Sequence, residues 1–271
     1  MNLSLYFTNL KLSKFSMSAW GLGIALWAAL VCYLYNSFKA TTGYIEIINS
    51  LPDGMKNLIG LDGANLNSAE GILDAGVFLS FEYLSWMPLL LGIYSVFYCS
   101  GVISKEADRG TLDILLSQPI ARHTLLITKN LSFVTVLIGL MLISWLTIYI
   151  TFELINVEIN LSRLAIVHLL SILVILPIIG YSTLASTIWL DPRKSLPVAG
   201  FITAVLWIMD LIGPLLNQLD FIQKASPFHY FDPAITMSQG FADWIPFTIW
   251  FLVAMALLFV ALIKFDKRDL T

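Results

Sequence analysis

The sequence predicts an all-α polytopic membrane protein: six transmembrane helices, an N-terminal interfacial helix, and a short cytoplasmic helix between spans two and three. Two observations carry the prediction. Of the 271 residues, 58% are apolar and 12% charged, where an average soluble domain carries about 25% charged residues, and the mean hydropathy is +0.82. The charges are also missing in long blocks rather than thinly everywhere. Closed membrane barrels would need many short segments of alternating polarity, and the sequence has no such pattern.

A hydrocarbon core about 30 Å thick, crossed at about 1.5 Å per residue, takes about 20 apolar residues. Charge-free windows of that size run from Phe15 to Phe38 (24 residues), Tyr83 to Ser104 (22), Asn130 to Phe152 (23), Leu164 to Leu190 (27) and Trp244 to Ile263 (20). A sixth span, over about residues 195–216, is interrupted only by Asp210. Residues 1–271 are therefore read as one transmembrane domain. The first run reads as an anchor rather than a cleavable leader, because it is too long for a leader's apolar region and lacks an A-x-A site. Ahead of it, Leu3, Leu5, Tyr6, Phe7, Leu10, Leu12 and Phe15 alternate with Ser, Asn and Lys, as in a helix lying in the headgroup plane.

Numbering the spans puts tails and loops on alternate sides. One side holds Lys11, Lys14, Lys105, Arg109, Arg122, Lys129, Arg193, Lys194, Lys264, Lys267 and Arg268; the other holds Lys39, Lys56, Arg163 and Lys224. Eleven cations and six acids give the first side +5, and four cations and twelve acids give the second −8, which combine to the net −3. Cationic loops stay in the cytoplasm, so both termini are expected there. The modest net charge gives no footprint of a nucleic-acid binder.

Residues 39–77 form the longest stretch outside the membrane; Leu51-Pro52-Asp53-Gly54 reads as a turn within it. The loop between spans two and three says more. After a charged helical turn, Gly110 is a stop and Thr111 an N-cap for a second short helix carrying Leu112, Ile114, Leu115 and Leu116. Gln118-Pro119 ends it, since the residue before proline is pushed out of the α region. Leucines beside charges of both signs suit either docking into a groove on a soluble partner or packing on the chain's own spans.

This loop resembles the cytoplasmic signature of the permease subunits of type-2 ABC transporters. The pattern Glu-x-x-x-Gly-Thr-Leu-(acid)-x-Leu-Leu-x-x-Pro-(Ile/Val)-x-Arg is met by Glu106, Gly110, Thr111, Leu112, Asp113, Leu115, Leu116, Pro119, Ile120 and Arg122, with Lys129 matching a basic residue that often follows. Two softer echoes are Ser226-Pro227-Phe228-His229-Tyr230-Phe231-Asp232-Pro233 before the last span and Phe265-Asp266-Lys267-Arg268-Asp269-Leu270 at the end. The resemblance implies that Glu106, Gly110, Thr111, Leu112, Asp113, Leu115, Leu116, Pro119 and Arg122 form the coupling helix, the element that inserts into a separate ATPase subunit. It also implies a second permease chain, identical or different, since six spans make half of the family's pathway.

The sequence has no G-x-x-x-x-G-K-[ST] loop and no Gly-Lys pair at all, so ATP and Mg would belong to the partner ATPase. No cofactor is expected in this chain, and no enzymatic activity. His123, His168 and His229 are its only histidines, with neither H-E-x-x-H nor G-x-S-x-G, so no metal site or hydrolase is expected. Cys32 and Cys99 lie within apolar runs and read as buried thiols. Asp210 falls about 21 Å along the fifth span, either facing the pathway or a dimer interface, or reaching the outer headgroups. Pro88, Pro177 and Pro214 predict kinks or local unwinding. An ATP-independent secondary transporter or channel is the alternative function. It would favour internal repeats and midplane charges, which this chain lacks.

Overall fold

A computed structural model of the chain describes residues 2–39, 50, 74–117, 120–213 and 220–268, and these contain helices but no strand. In order they are α1 (Leu3–Lys39), α2 (Ala75–Glu82), α3 (Met87–Cys99), α4 (Ser104–Asp108), α5 (Leu112–Leu116), α6 (Arg122–Leu154), α7 (Leu161–Ile188), α8 (Pro192–Ile212), α9 (Asp220–Gln223), α10 (Pro233–Gln239) and α11 (Trp244–Asp266). Six helical stretches are long and apolar enough to cross a membrane: α1, the run Ala75–Asp108 containing α2 to α4, α6, α7, α8 and α11. They fall on the six spans expected from the charge-free windows.

Local chemistry sets the boundaries. Asp74, Asn160, Asp191, Asp232 and Asp243 each precede a helix and accept a backbone N–H from its first turn, satisfying a donor that has no partner inside the helix. Pro192 and Pro233 occupy first-turn positions, where a missing N–H costs nothing. Pro88 acts likewise: it opens α3 after a 3-10 turn at Leu84–Trp86, so the second span unwinds locally. Pro177 lies within α7, and Pro197 within α8; Pro214 is outside the described residues.

One expectation is corrected. The N-terminal interfacial helix is not a separate element but the first turns of α1, a single helix of 37 residues and about 55 Å. No proline interrupts residues 3–39, and Gly21 and Gly23 sit in the helix interior, so nothing stops the helix where the membrane begins. Its first turns lie against α6, where Asn2 N–H donates to Thr128 Oγ1 at 3.3 Å and the Tyr6 and Thr135 hydroxyls pair at 2.8 Å.

Pairings between distant residues give the helix directions. Tyr6 meets Thr135, Gly139 faces Met17 and Tyr35 meets Phe152, so α1 and α6 run parallel. Gly92 faces Ile178, while Ile103 and Ser104 meet Ser186, so α3 and α7 are parallel. Gly180 faces Ala254 and Leu257, and Arg268 reaches Thr187, which adds α11 to that set. Ser195 meets Ser104 and Thr203 meets Tyr181, so α8 runs the opposite way. These directions agree with the six-span alternation, and below we call its two sides the basic face and the acidic face.

Helix α7 is the hub, packing on α11, α3, α8, α6 and α10. Of the most apolar stretches, 72% of the second span and 67% of the fourth is buried, against 17% in the fifth and sixth, so the latter two show most of their surface to their surroundings. Lipid gives no hydrophobic drive for helices to associate, and close packing must supply it. At Gly180 a Cβ would lie 3.2 Å from the Ala254 carbonyl oxygen, so only glycine lets α7 and α11 approach this closely. Near the acidic face, Ser144 Oγ meets Tyr83 Oη at 2.8 Å and His168 Nε2 at 2.9 Å, while His168 Nδ1 lies 2.8 Å from the Leu164 carbonyl. A carbonyl only accepts, so Nδ1 bears the proton and Nε2 of the neutral ring accepts from Ser144. His168 is thus a satisfied core residue, as its sequence setting suggests.

Candidate functional site

Between the second and third spans, the chain turns back at the basic face through α4 and α5. Gly110 makes that turn, with φ +68°. Its N–H donates to the Ala107 carbonyl at 3.0 Å and the Thr111 N–H to the Glu106 carbonyl at 2.9 Å, the paired bonds that close a helix through a left-handed glycine. Thr111 stands at the N-cap position of α5 but makes no capping bond. Its hydroxyl points backwards instead, bonding the Glu106 carboxylate and carbonyl. The expected N-cap is thereby corrected: Thr111 has helical backbone angles, φ −85° and ψ −15°, in place of the extended conformation that aims a capping oxygen at the first-turn N–H groups.

Lys129, on the first turns of α6, donates from Nζ to Glu106 Oε1 at 2.6 Å and to the Val102 carbonyl at 3.1 Å. Its side chain is only 7% exposed, so the ion pair holds α4 onto α6 in a largely dry setting. Ser186 of α7 accepts the Ile103 and Ser104 N–H groups at 3.0 Å each, at the break between α3 and α4. From α8, Ser195 donates to the Ser100 carbonyl at 2.8 Å. Three spans therefore grip the root of the α4–α5 hairpin.

Arg122, which begins α6, turns away from the hairpin. Its Nη1 donates to the carbonyls of Phe265 and Asp266 at 3.3 Å and of Arg268 at 2.6 Å, at the end of α11. The hairpin's apolar residues divide in two. Leu112 is buried, and Leu115 and Leu116 pack with Ile103, Leu125, Leu126 and Phe265, while Ile114 is 64% exposed. Asp108, Arg109 and Asp113 of the same hairpin are also exposed, as are Arg193 and Lys194 at the start of α8. Within this five-residue helix the leucines pack on the chain's own spans, and the isoleucine faces out. Pro119 lies outside the described residues.

Several participants were not readable from the sequence. Ile114 sat in the right helix but could not be told from its leucine neighbours. Ser186 and Ser195 lie 82 and 91 residues from the backbone and side chain of Ser104 that they meet, with no local pattern to single them out. Asp210 lies 3.7 Å from His229 Nδ1, both side chains partly exposed. Asp232 does not join them, since it caps α10 through the Ile235 N–H at 2.8 Å; burial raises its pKa above the ordinary aspartate value. Among the described residues no group of three or more His, Cys, Asp or Glu could hold a metal ion, and Cys32 and Cys99 are buried free thiols.

Six apolar spans, both ends of the described chain on one face, and a braced helical hairpin on that face define an all-α polytopic membrane protein. The family model for ABC-2 family transporter proteins matches residues 12–270. The chain belongs to that family and is a membrane permease of the ABC-2 type. No curated protein matches it.

Proposed function

We propose that this chain is the membrane-spanning half of an ATP-driven exporter, with the α4–α5 hairpin docking a separate ATPase subunit that carries ATP and Mg. The observation that supports it best is the contrast within the hairpin. Its root is tied to α6, α7 and α8, while Ile114 is exposed. A short helix held this firmly passes a push on to the spans, and its exposed tip supplies the apolar anchor that interfaces concentrate their binding on. A second permease chain, the same or different, completes the pathway. The basic face, with both termini, lies in the cytoplasm of a bacterial cell, as the distribution of cations supports.

Ile114→Asp tests the docking. The exposed site should leave folding unchanged, and co-purification of an ATPase subunit should be lost; an unchanged yield of the complex would remove the hairpin from the interface. Leu115→Asp and Leu116→Asp are poorer tests, because those side chains pack internally and their loss also loosens the fold. Sidedness is read separately by a cysteine at Asn57, labelled from outside, and one at Ser117, labelled only after permeabilisation. The reverse pattern would overturn the orientation.

A further inference from the structure

Two arginines join the start of α6, the helix that follows the hairpin in the chain, to the hub helix by a route that does not pass through the hairpin's own root. Helices end with carbonyls that have no intrahelical partner. At the end of α7, the carbonyls of Thr187 and Ile188 both accept from Arg268 Nη1, the first at 3.0 Å. At the end of α11, the carbonyls of Phe265, Asp266 and Arg268 all accept from Arg122 Nη1. Arg268 is therefore engaged at both ends, its side chain holding α7 and its backbone oxygen held at 2.6 Å by the residue that follows the hairpin. A guanidinium carries five donors in a rigid fork and never loses its charge, and a cation belongs at the negative end of a helix dipole.

We propose that Arg122 and Arg268 form a strap that transmits displacement of the α4–α5 hairpin to the end of α7 through the residues following α11. They are positioning residues. Arg122 sits in the hairpin's own chain, one residue past the link into α6, so movement of the hairpin pulls on the three carbonyls it holds. Arg268 then carries that pull to α7, the helix on which four other membrane-spanning stretches pack. Arg122, which the resemblance places in the coupling signature, acts here by gripping the end of α11. The functional meaning of the strap rests on the docking reading above, but its existence does not.

The test is amide hydrogen exchange on the full chain alone in lipid nanodiscs. Arg268→Gln should speed exchange about tenfold at residues 187–190, the scale expected on losing a charge-assisted bond. It should also speed exchange at 112–117 and 122–125, which Arg268's side chain does not touch. Arg122→Gln should affect the same two regions, and the double variant should exceed neither single one, because either change opens the strap. Acceleration confined to 187–190, or additive effects in the double variant, would overturn the proposal. If Arg268→Gln also loses protection in the middle of α7, Arg268→Lys decides the matter. It keeps the charge with a less suitable donor and should give an intermediate effect in both regions; an effect at 187–190 alone again overturns the strap. Loss of ATPase docking in Ile114→Asp with an intact strap, or the reverse, separates this inference from the functional reading.

Discussion

Short helices stand at both faces of this protein, and they are held differently. At the acidic face, α2 and α10 pack on each other, with Ala75 to Ser80 buried on one and Pro233, Ala234, Thr236 and Met237 on the other. At the basic face, α5 buries only Leu112. The acidic-face pair packs on itself and on α7, whereas at the basic face side chains from α6, α7 and α8 hold α4 and the turn before it and leave α5 half exposed. Even their arginines differ in effect. Arg163 donates to the carbonyls of Met237 and Ser238 at 2.8 and 2.6 Å and so closes α10 within the acidic-face unit, while Arg122 ties the hairpin's chain to the end of α11. The acidic-face pair is buried on both of its helices, and α5 is left with one buried residue.

If that contrast is right, the basic face is the more fragile to loss of a single charge. Lys129→Met leaves the Glu106 carboxylate without its partner and should cost about 3 kcal/mol, typical of breaking a shielded pair from one side. Adding Glu106→Gln should recover about half, since the stranded charge is then gone. Denaturation in mixed micelles measures both. A loss under 1 kcal/mol in the single variant would show that the ion pair does not hold the hairpin.

The acidic face should instead fail by crowding. A Cβ on Gly76 would lie 2.7 Å from Met237 Cε and 3.2 Å from Met237 Cβ, so Gly76→Val should cost about 2 kcal/mol through overpacking and leave ATPase co-purification unchanged. Equal loss of docking in this variant would break the distinction between the faces. At Gly110 the space is open but the backbone is left-handed, so Gly110→Ala should cost about 1 to 2 kcal/mol in conformation alone. Gly110→Asn should cost less, because asparagine tolerates that region. If both substitutions proved neutral, the turn would not depend on its left-handed glycine.

Charge-free windows located five of the six spans because lipid excludes charge whatever the tertiary packing, and the bilayer sets the length; the remaining span was read across Asp210. The N-terminal helix was misread for a related reason. Its alternating composition reports contact with the interface, but an unbroken stretch from Leu3 to Lys39 holds no residue that ends a helix, and continuity prevailed. Gly110 was legible because a left-handed turn leaves few choices of residue. Thr111 was in the right place for a cap, but its backbone is helical and its hydroxyl donates back to Glu106. Arg268 could be read as a terminal basic residue, yet its bonds to Thr187 and Ile188 span about 80 positions, and sequence spacing carries no trace of such a contact.

The smallest expected effect concerns pH and separates the faces by the half-buried acid that starts α10, for which α5 has no counterpart. Asp232 caps α10, and burial holds its pKa above the ordinary aspartate value of 3.8, outweighing the N–H groups that favour its charged form. A folded-state pKa above the unfolded one means that the folded chain binds this proton more tightly. The stabilisation is therefore fully present below the unfolded value and is lost as pH rises through the folded one. Asp232→Asn keeps a side-chain oxygen for the Ile235 N–H, since asparagine caps about as well as aspartate, and removes the titration. The variant should thus unfold with a flatter dependence on pH across the window just above 3.8. The α4–α5 hairpin, whose Thr111 caps nothing, should be indifferent to the change. A slope that persisted in Asp232→Asn would move its origin to another group, and a simultaneous change in ATPase co-purification would mean that the two faces are coupled through α7.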